Sequence, residues 1–296
     1  MHLHAIEAVL GAATVLAVPA ALIGLAGDPA PGFAPGEAET VEIAATTTDY
    51  QLPGEFLAGG RPANAPIEKR AVPAFRIMKQ QVSLAEYDRC VAEDACLPAS
   101  ASTGPADVPV TGVNWIDARA YARWYSKATG QTWRLPTALE ISVAAAERHV
   151  GDSYSAVADD PANPAVRWLR LYQEEAAANR TPDPTPKERG HFGPNSIGIE
   201  DFGGNVWEWT STCYERVTLA PDGSAANVLE NCGVYVMEGQ HRAYMSSFVR
   251  EGKSGGCAVG TPPDNLGFRL VREEPSLLAR VKSAFGAMLA AGRPDA

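Results

Sequence analysis

The 296-residue sequence has no cluster of lysine and arginine: 25 basic residues face 35 acidic ones, for a formal charge of −10. That excludes nucleic acid as a partner, because neutralising a phosphate backbone takes grouped cations. Histidine is scarce, five in all with His2 and His4 among them, so an imidazole-rich metal centre has few ligands to draw on. No Cys-x-x-Cys pair and no His/Cys cluster is present, which removes the usual zinc spacings. An apolar fraction of 46% with 20% charged residues leaves no case for a disordered chain and supports a sizeable buried core.

The first apolar run lacks the basic residues that usually precede such a segment. Residues 5–27, interrupted only by Glu7, Pro19 and small residues, are long enough to cross a bilayer and are also Ala-rich like a secretory signal core. A Pro/Gly linker follows (DPAPGFAPGE). The expectation is export, with residues 1–27 as a signal peptide or a membrane anchor and the protein periplasmic or secreted, held at the inner membrane in the second case. Cysteine usage agrees with an oxidising compartment. Cys90 and Cys96 bracket a short loop that a disulfide could close if Cys90 ends a helix. Cys213, Cys232 and Cys257 make the total odd, so one thiol is left over and their pairing stays open.

Local signals define several elements. Residues 41–67 read as a strand followed by loops, and residues 71–79 alternate as a half-buried strand. Ser83 with Glu86 forms a capping box for a short helix through Cys90. Asn114 caps the clearest helix, with Asp117 at its third position and Gly130 as its stop. Thr137 and Glu140 open another. Residues 163–179 contain an amphipathic pattern with Val166, Leu169 and Tyr172 on one side. A last stripe of Leu278, Val281, Phe285, Met288 and Leu289 predicts a C-terminal amphipathic helix within 274–296.

The densest stretch is residues 203–210 (GGNVWEWT). Two glycines there let backbone carbonyls converge, and Asp201 and Glu208 are hard oxygen donors of the kind Ca²⁺ prefers. A tight turn whose tryptophans fill a core is the competing reading.

In order, residues 109–118 (PVTGVNWIDA), 134–140 (RLPTALE), 204–209 (GNVWEW) and 265–270 (NLGFRL) resemble the formylglycine-generating enzyme, or sulfatase-modifying-factor, family. Residues 75–87 are similar to its opening strand and helix. The resemblance spans residues 50–273, after a linker and first strand at 28–49. It implies a loop-rich α/β domain of the C-type-lectin-like kind, with low regular secondary-structure content and structural Ca²⁺. Carried over by position, the ion would take the Asp201 side chain, the carbonyls of Gly204 and Val206 and the Glu208 carboxylate. A second Ca²⁺ site would begin near Asn179.

Function transfers less readily than fold. The family's characterised oxidases bind copper through two cysteines just before the closing Leu-Gly-Phe-Arg, a soft thiolate pair suited to Cu(I). Here Ser246 stands at the first position, no cysteine stands near the second, and Cys257 is peripheral. The family's iron-dependent sulfoxide chemistry relies on a His-rich motif that is missing here. The catalytic candidates left in the expected cleft are His241, Ser246, Arg250, Glu251 and Cys257, beside Arg242, Tyr244 and Met245. His241 with Met245 would suit a soft metal; the competing reading is a basic and aromatic strand packed against Trp207 and Trp209, with Arg250 paired to a carboxylate and Arg269 serving as an ion-pair partner of the central knot. Copper or iron has no support beyond these residues.

The resulting expectation is an exported accessory or maturation factor with a protein client or partner enzyme. It would be similar to family members without the cysteine pair that accompany periplasmic enzymes such as copper nitrite reductase. The alternative is a metal-dependent oxidase acting through another residue set, such as His241, Glu251 and Cys257.

Overall fold

A computed structural model describes residues 37–100, 104–152, 166, 169–170, 173, 185–252 and 265–274. In chain order the strands begin with β1 (Thr40–Ile43), β2 (Thr46–Gln51), β3 (Glu55–Ala58), β4 (Arg61–Ala63), β5 (Ile67–Val72) and β6 (Phe75–Met78). Helices α1 (Leu84–Ala92) and α2 (Trp115–Thr129) follow, then β7 (Trp133–Arg134) and α3 (Ala138–Ala144). The C-terminal half supplies β8 (Trp207–Leu219), β9 (Ala225–Glu238), β10 (Arg242–Ser246), β11 (Leu266–Gly267) and β12 (Val271–Arg272).

The three helices start where their capping residues predict. Ser83, Asn114 and Thr137 each accept a bond from the backbone N–H three residues on, and the Glu86, Asp117 and Glu140 carboxylates accept in turn from the cap residue's own N–H. Gly130 ends α2 in the left-handed conformation, φ 68°, which a glycine adopts without a Cβ penalty. Residues 41–67, read from sequence as one strand and loops, instead contain four strands and the start of a fifth. β2 pairs antiparallel with β5, and β3 with β4. The strands are short and mostly exposed, so their apolar alternation is weak.

Two sheets frame the core. One orders β1-β6-β12-β7; the other orders β10-β9-β8-β3-β4, with β11 parallel to the start of β8. The long β8–β9 hairpin is the axis of the second sheet, and its base carries Trp207, Glu208 and Trp209 into the interior. Trp209, Tyr121, Tyr87, Phe268 and Leu270 form the larger core cluster; Ile43, Phe75, Ile77, Ile141 and Phe202 form a second. Both buried tryptophans place their polar edge: Trp209 Nε1 donates to Val113 O at 2.9 Å and Trp207 Nε1 to His241 O at 3.1 Å.

Cys90–Cys96 and Cys213–Cys232 are disulfides. The first closes the loop at the end of α1, and the second ties β8 to β9. Cys257 and Asn179, the first 36 residues and the C-terminal helix expectation lie outside the described residues. Of the 163–179 pattern, Val166, Leu169, Arg170 and Gln173 are described, and all four are helical. Among the described residues no helix is long and apolar enough to cross a membrane.

Two glycines permit the close packing around the Trp-Glu-Trp base. A Cβ at Gly239 would meet the Trp207 ring at 2.6 Å, and one at Gly267 would meet Val206 Cγ2 at 2.7 Å and Val110 O at 2.9 Å. Gly239→Ala and Gly267→Ala are each expected to destabilise by about 1–3 kcal/mol through overpacking, read by urea unfolding. Losses below about 0.5 kcal/mol, the range of an ordinary surface change, would show that these contacts relax freely.

Candidate functional site

The residues singled out in the central knot are bonded as follows. Asp201 is fully buried with φ 58°, and its carboxylate accepts from the backbone N–H of Gly190 at 2.5 Å and of Phe192 at 2.8 Å. It organises the 190–193 loop. Glu208 is also buried, and Arg269 grips it in a two-pronged contact, Nε to Oε2 at 2.6 Å and Nη2 to Oε1 at 2.7 Å. Gln81 Nε2 donates to the same Oε1 at 2.8 Å.

Each of the four carboxylate oxygens therefore already accepts a hydrogen bond, and the positive charge beside Glu208 is a guanidinium. A Ca²⁺ ion taking both the Asp201 and Glu208 side chains would share the Glu208 carboxylate with Arg269. Arg269 is the cation that the structure places on Glu208. Its remaining donors go to backbone carbonyls: Nη1 to Met78 O and Lys79 O, and Nη2 to Glu200 O. Gly204 sits in the turn above, its N–H bonded to Asp201 O, and Val206 packs against Gly267.

A second buried polar group surrounds Arg242. Arg242 donates from Nε to Glu238 Oε1 at 2.9 Å and from Nη1 to Gln51 O at 3.0 Å, and its guanidinium lies over the Tyr50 ring. Tyr244 OH donates to Asp152 Oδ1 at 3.1 Å and accepts from Gly54 N–H at 2.7 Å. His149 Nε2 approaches Glu238 Oε2 to 3.5 Å. Burial alone would push the Glu238 carboxyl up, but Arg242 and His149 outweigh it and hold the group below the usual glutamate value. Asp152 moves the other way, raised by burial against the pull of Arg242. Among the described residues His149 Nε2, Glu238 Oε2 and Arg242 Nη2 have no hydrogen-bond partner. Only Arg242 and Tyr244 of this cluster were visible as candidates; Glu238 and Asp152 carry no motif, and their convergence depends on the β9–β10 register.

The described catalytic candidates have the following surroundings. His241 is buried edge-on to Trp207, with Nδ1 2.7 Å from Arg242 O, so that nitrogen acts as a donor and not a metal ligand. Met245 packs in the core cluster. Ser246 ends β10, half-buried opposite Val234. Arg250 pairs with Asp117 at 2.9 Å and donates to Pro98 O and Ser100 Oγ, tying the turn after β10 to the cap of α2. Glu251 is exposed, and Cys257 lies outside the described residues. The one grouping of three candidate metal ligands among the described residues, Cys213, Glu230 and Cys232, contains a disulfide, so its sulfurs are not thiolates.

The domain is loop-rich and mixed α/β, and its fold is of the formylglycine-generating-enzyme kind. The model of the sulfatase-modifying factor enzyme 1-like domain matches residues 37–274, and the chain belongs to that family. It is 32% identical over 189 residues to a formylglycine-generating enzyme of Streptomyces coelicolor, covering 58% of this chain and 54% of the relative. It is 29% identical over 187 residues to the inactive C-alpha-formylglycine-generating enzyme 2 of Mus musculus, covering 58% and 51%. The chain thus spans about half the length of the curated relatives it matches. PvdO from Pseudomonas aeruginosa superposes with a TM-score of 0.50 at 20% identity, over 80% of this chain and 95% of that one, a likeness of fold.

Breaking the buried pair strands a charge, so Arg269→Met is expected to cost about 3–5 kcal/mol, with a double change at Glu208 and Arg269 costing less than the sum of the two single ones. EDTA is expected to move the melting temperature of the unmodified protein by less than about 2 °C, since a ligand stabilises only if the folded state binds it; a larger fall that Glu208→Gln abolishes would assign a cation to the knot.

Glu238 generates a pH dependence. A carboxyl held low when folded contributes stability at neutral pH and loses it as the pH drops below the ordinary value of 4.5 and through the folded value. Urea titrations down to about pH 3 are expected to show a shallower acid loss for Glu238→Gln than for the unmodified chain. Equal slopes would remove Glu238 from the acid response.

Proposed function

We propose that the protein is an exported accessory or maturation factor that acts on a protein client, and that it does not carry out cysteine-pair copper oxidation. The observation that carries this reading is the end of β10. By resemblance Ser246 stands where the family's first copper-binding cysteine would be, and the turn beyond it is fastened by Arg250 to Asp117, Pro98 and Ser100. A soft Cu(I) ion needs thiolate, thioether or imidazole donors, and a serine hydroxyl is a poor substitute.

Three further points support it. The two disulfides suit an oxidising compartment, in keeping with a periplasmic or secreted protein. A relative of comparable similarity carries the name of an inactive formylglycine-generating enzyme. The first client to test is a secreted redox enzyme, a periplasmic copper enzyme of denitrification in particular.

The test has two arms. Deleting the gene is expected to lower the metal content and activity of that client severalfold, with restoration by the full chain. The purified protein, supplied with Cu(I), O₂ and a cysteine-containing peptide, is expected to form no aldehyde. Aldehyde formation would establish the oxidase reading in its place, and an unaffected client would remove the proposed partner.

A further inference from the structure

Strand β9 is longer than the strand that covers it. β10 pairs with Val234–Glu238 only, and beyond that Ser247 N–H reaches Gly233 O. Residues 225–233 have β8 on one side and, among the described residues, no strand on the other. All nine are exposed, including Val228 at 51% and Leu229 at 60%. An unpaired edge of this length invites another strand, and proteins usually blunt such edges with charge or proline. The other short edges follow that rule: β4 holds Arg61 and Pro62, and β5 holds Glu68, Lys69 and Arg70. Residues 225–233 contain a single charge, Glu230.

The edge is also self-complementary. Residues 227–231 read Asn-Val-Leu-Glu-Asn, the same from either end on the face that carries Asn227, Leu229 and Asn231. Antiparallel pairing about a two-fold axis at Leu229 sets Leu229 opposite Leu229 of the second copy and Asn227 opposite its Asn231 on both sides. Glu230 then faces Val228 and no like charges lie directly opposite, whereas a shift centring Glu230 would set two carboxylates together. Cys213–Cys232 anchors the inner end of the patch to β8, and Asn231 Oδ1 already accepts from Gly233 N–H at 2.9 Å, which ends the free ladder there.

We propose that the protein forms a two-fold dimer by antiparallel pairing of its β9 edges, centred on Leu229. A second copy is favoured over an unrelated extended peptide because the pattern that would specify the partner is the edge's own sequence. An isologous contact of this kind closes after two copies. The net charge of −10 opposes association, so dimerisation strengthens as salt screens it.

Sedimentation velocity of the full chain over a hundredfold range of concentration tests the proposal. The expected result is a concentration-dependent doubling of mass that strengthens with added salt. Leu229→Lys and Leu229→Glu each place like charges opposite one another at the axis, and each is expected to weaken the dimer at least tenfold while leaving the melting temperature nearly unchanged. An equimolar mixture of the two variants brings Lys opposite Glu and is expected to recover association. A chain that stays monomeric throughout, including one that takes up an extended peptide instead, overturns the proposal. So do variants that dimerise like the unmodified protein, or a mixture that fails to recover.

Discussion

All five N–H groups of Arg269 find oxygens inside a fully buried site: two go to Glu208 and three to the carbonyls of Met78, Lys79 and Glu200. Those carbonyls belong to the end of β6 and to the loop entering the knot. One guanidinium therefore joins the first sheet, the hairpin of the second and the segment between them. Its energetic meaning lies in the asymmetry of buried ion pairs. The pair's net contribution over an apolar equivalent is small, but either partner left alone is costly. The geometry is thus specified more strongly than it is stabilised, and Trp207 and Trp209 pack around a fixed point.

The charge reading of the knot illustrates how far side-chain chemistry carries without coordinates. Asp201 and Glu208 were legible as buried oxygen donors because carboxylates flanking glycines and tryptophans have few other uses. What they bond to was not legible, since Arg269 stands 61 residues from Glu208 and the Gly190 and Phe192 N–H groups belong to another loop. An arginine and a calcium ion satisfy the same carboxylate, and sequence spacing does not distinguish them. The helices were legible for the opposite reason: their caps and stops are local, and each of Ser83, Asn114 and Thr137 bonds within three residues.

The long hairpin was hidden because its base and its outer part follow different rules. Trp207, Glu208, Trp209 and Thr210 are all buried on successive positions, so the base shows no two-residue alternation, and residues 225–233 are exposed on successive positions, so neither does the outer half of β9. The Arg242 cluster was only partly legible, because Glu238 comes opposite Arg242 once β9 and β10 are in register, and Asp152 reaches Arg242 from a separate segment.

The disulfide between Cys213 and Cys232 lies where the β8–β9 register shifts, between the buried base and the solvated outer half. The hairpin is therefore two cooperative units joined by a covalent stitch. Backbone amides at the base share the stability of the whole domain, while those of residues 225–231 have, among the described residues, only the ladder to β8 to resist opening. Fraying that begins at the tip stops at the stitch, so the base can hold the core unchanged while the outer strands breathe or exchange partners. Reducing the bond would extend that local opening toward Trp209 and turn a surface fluctuation into a route for unfolding the interior.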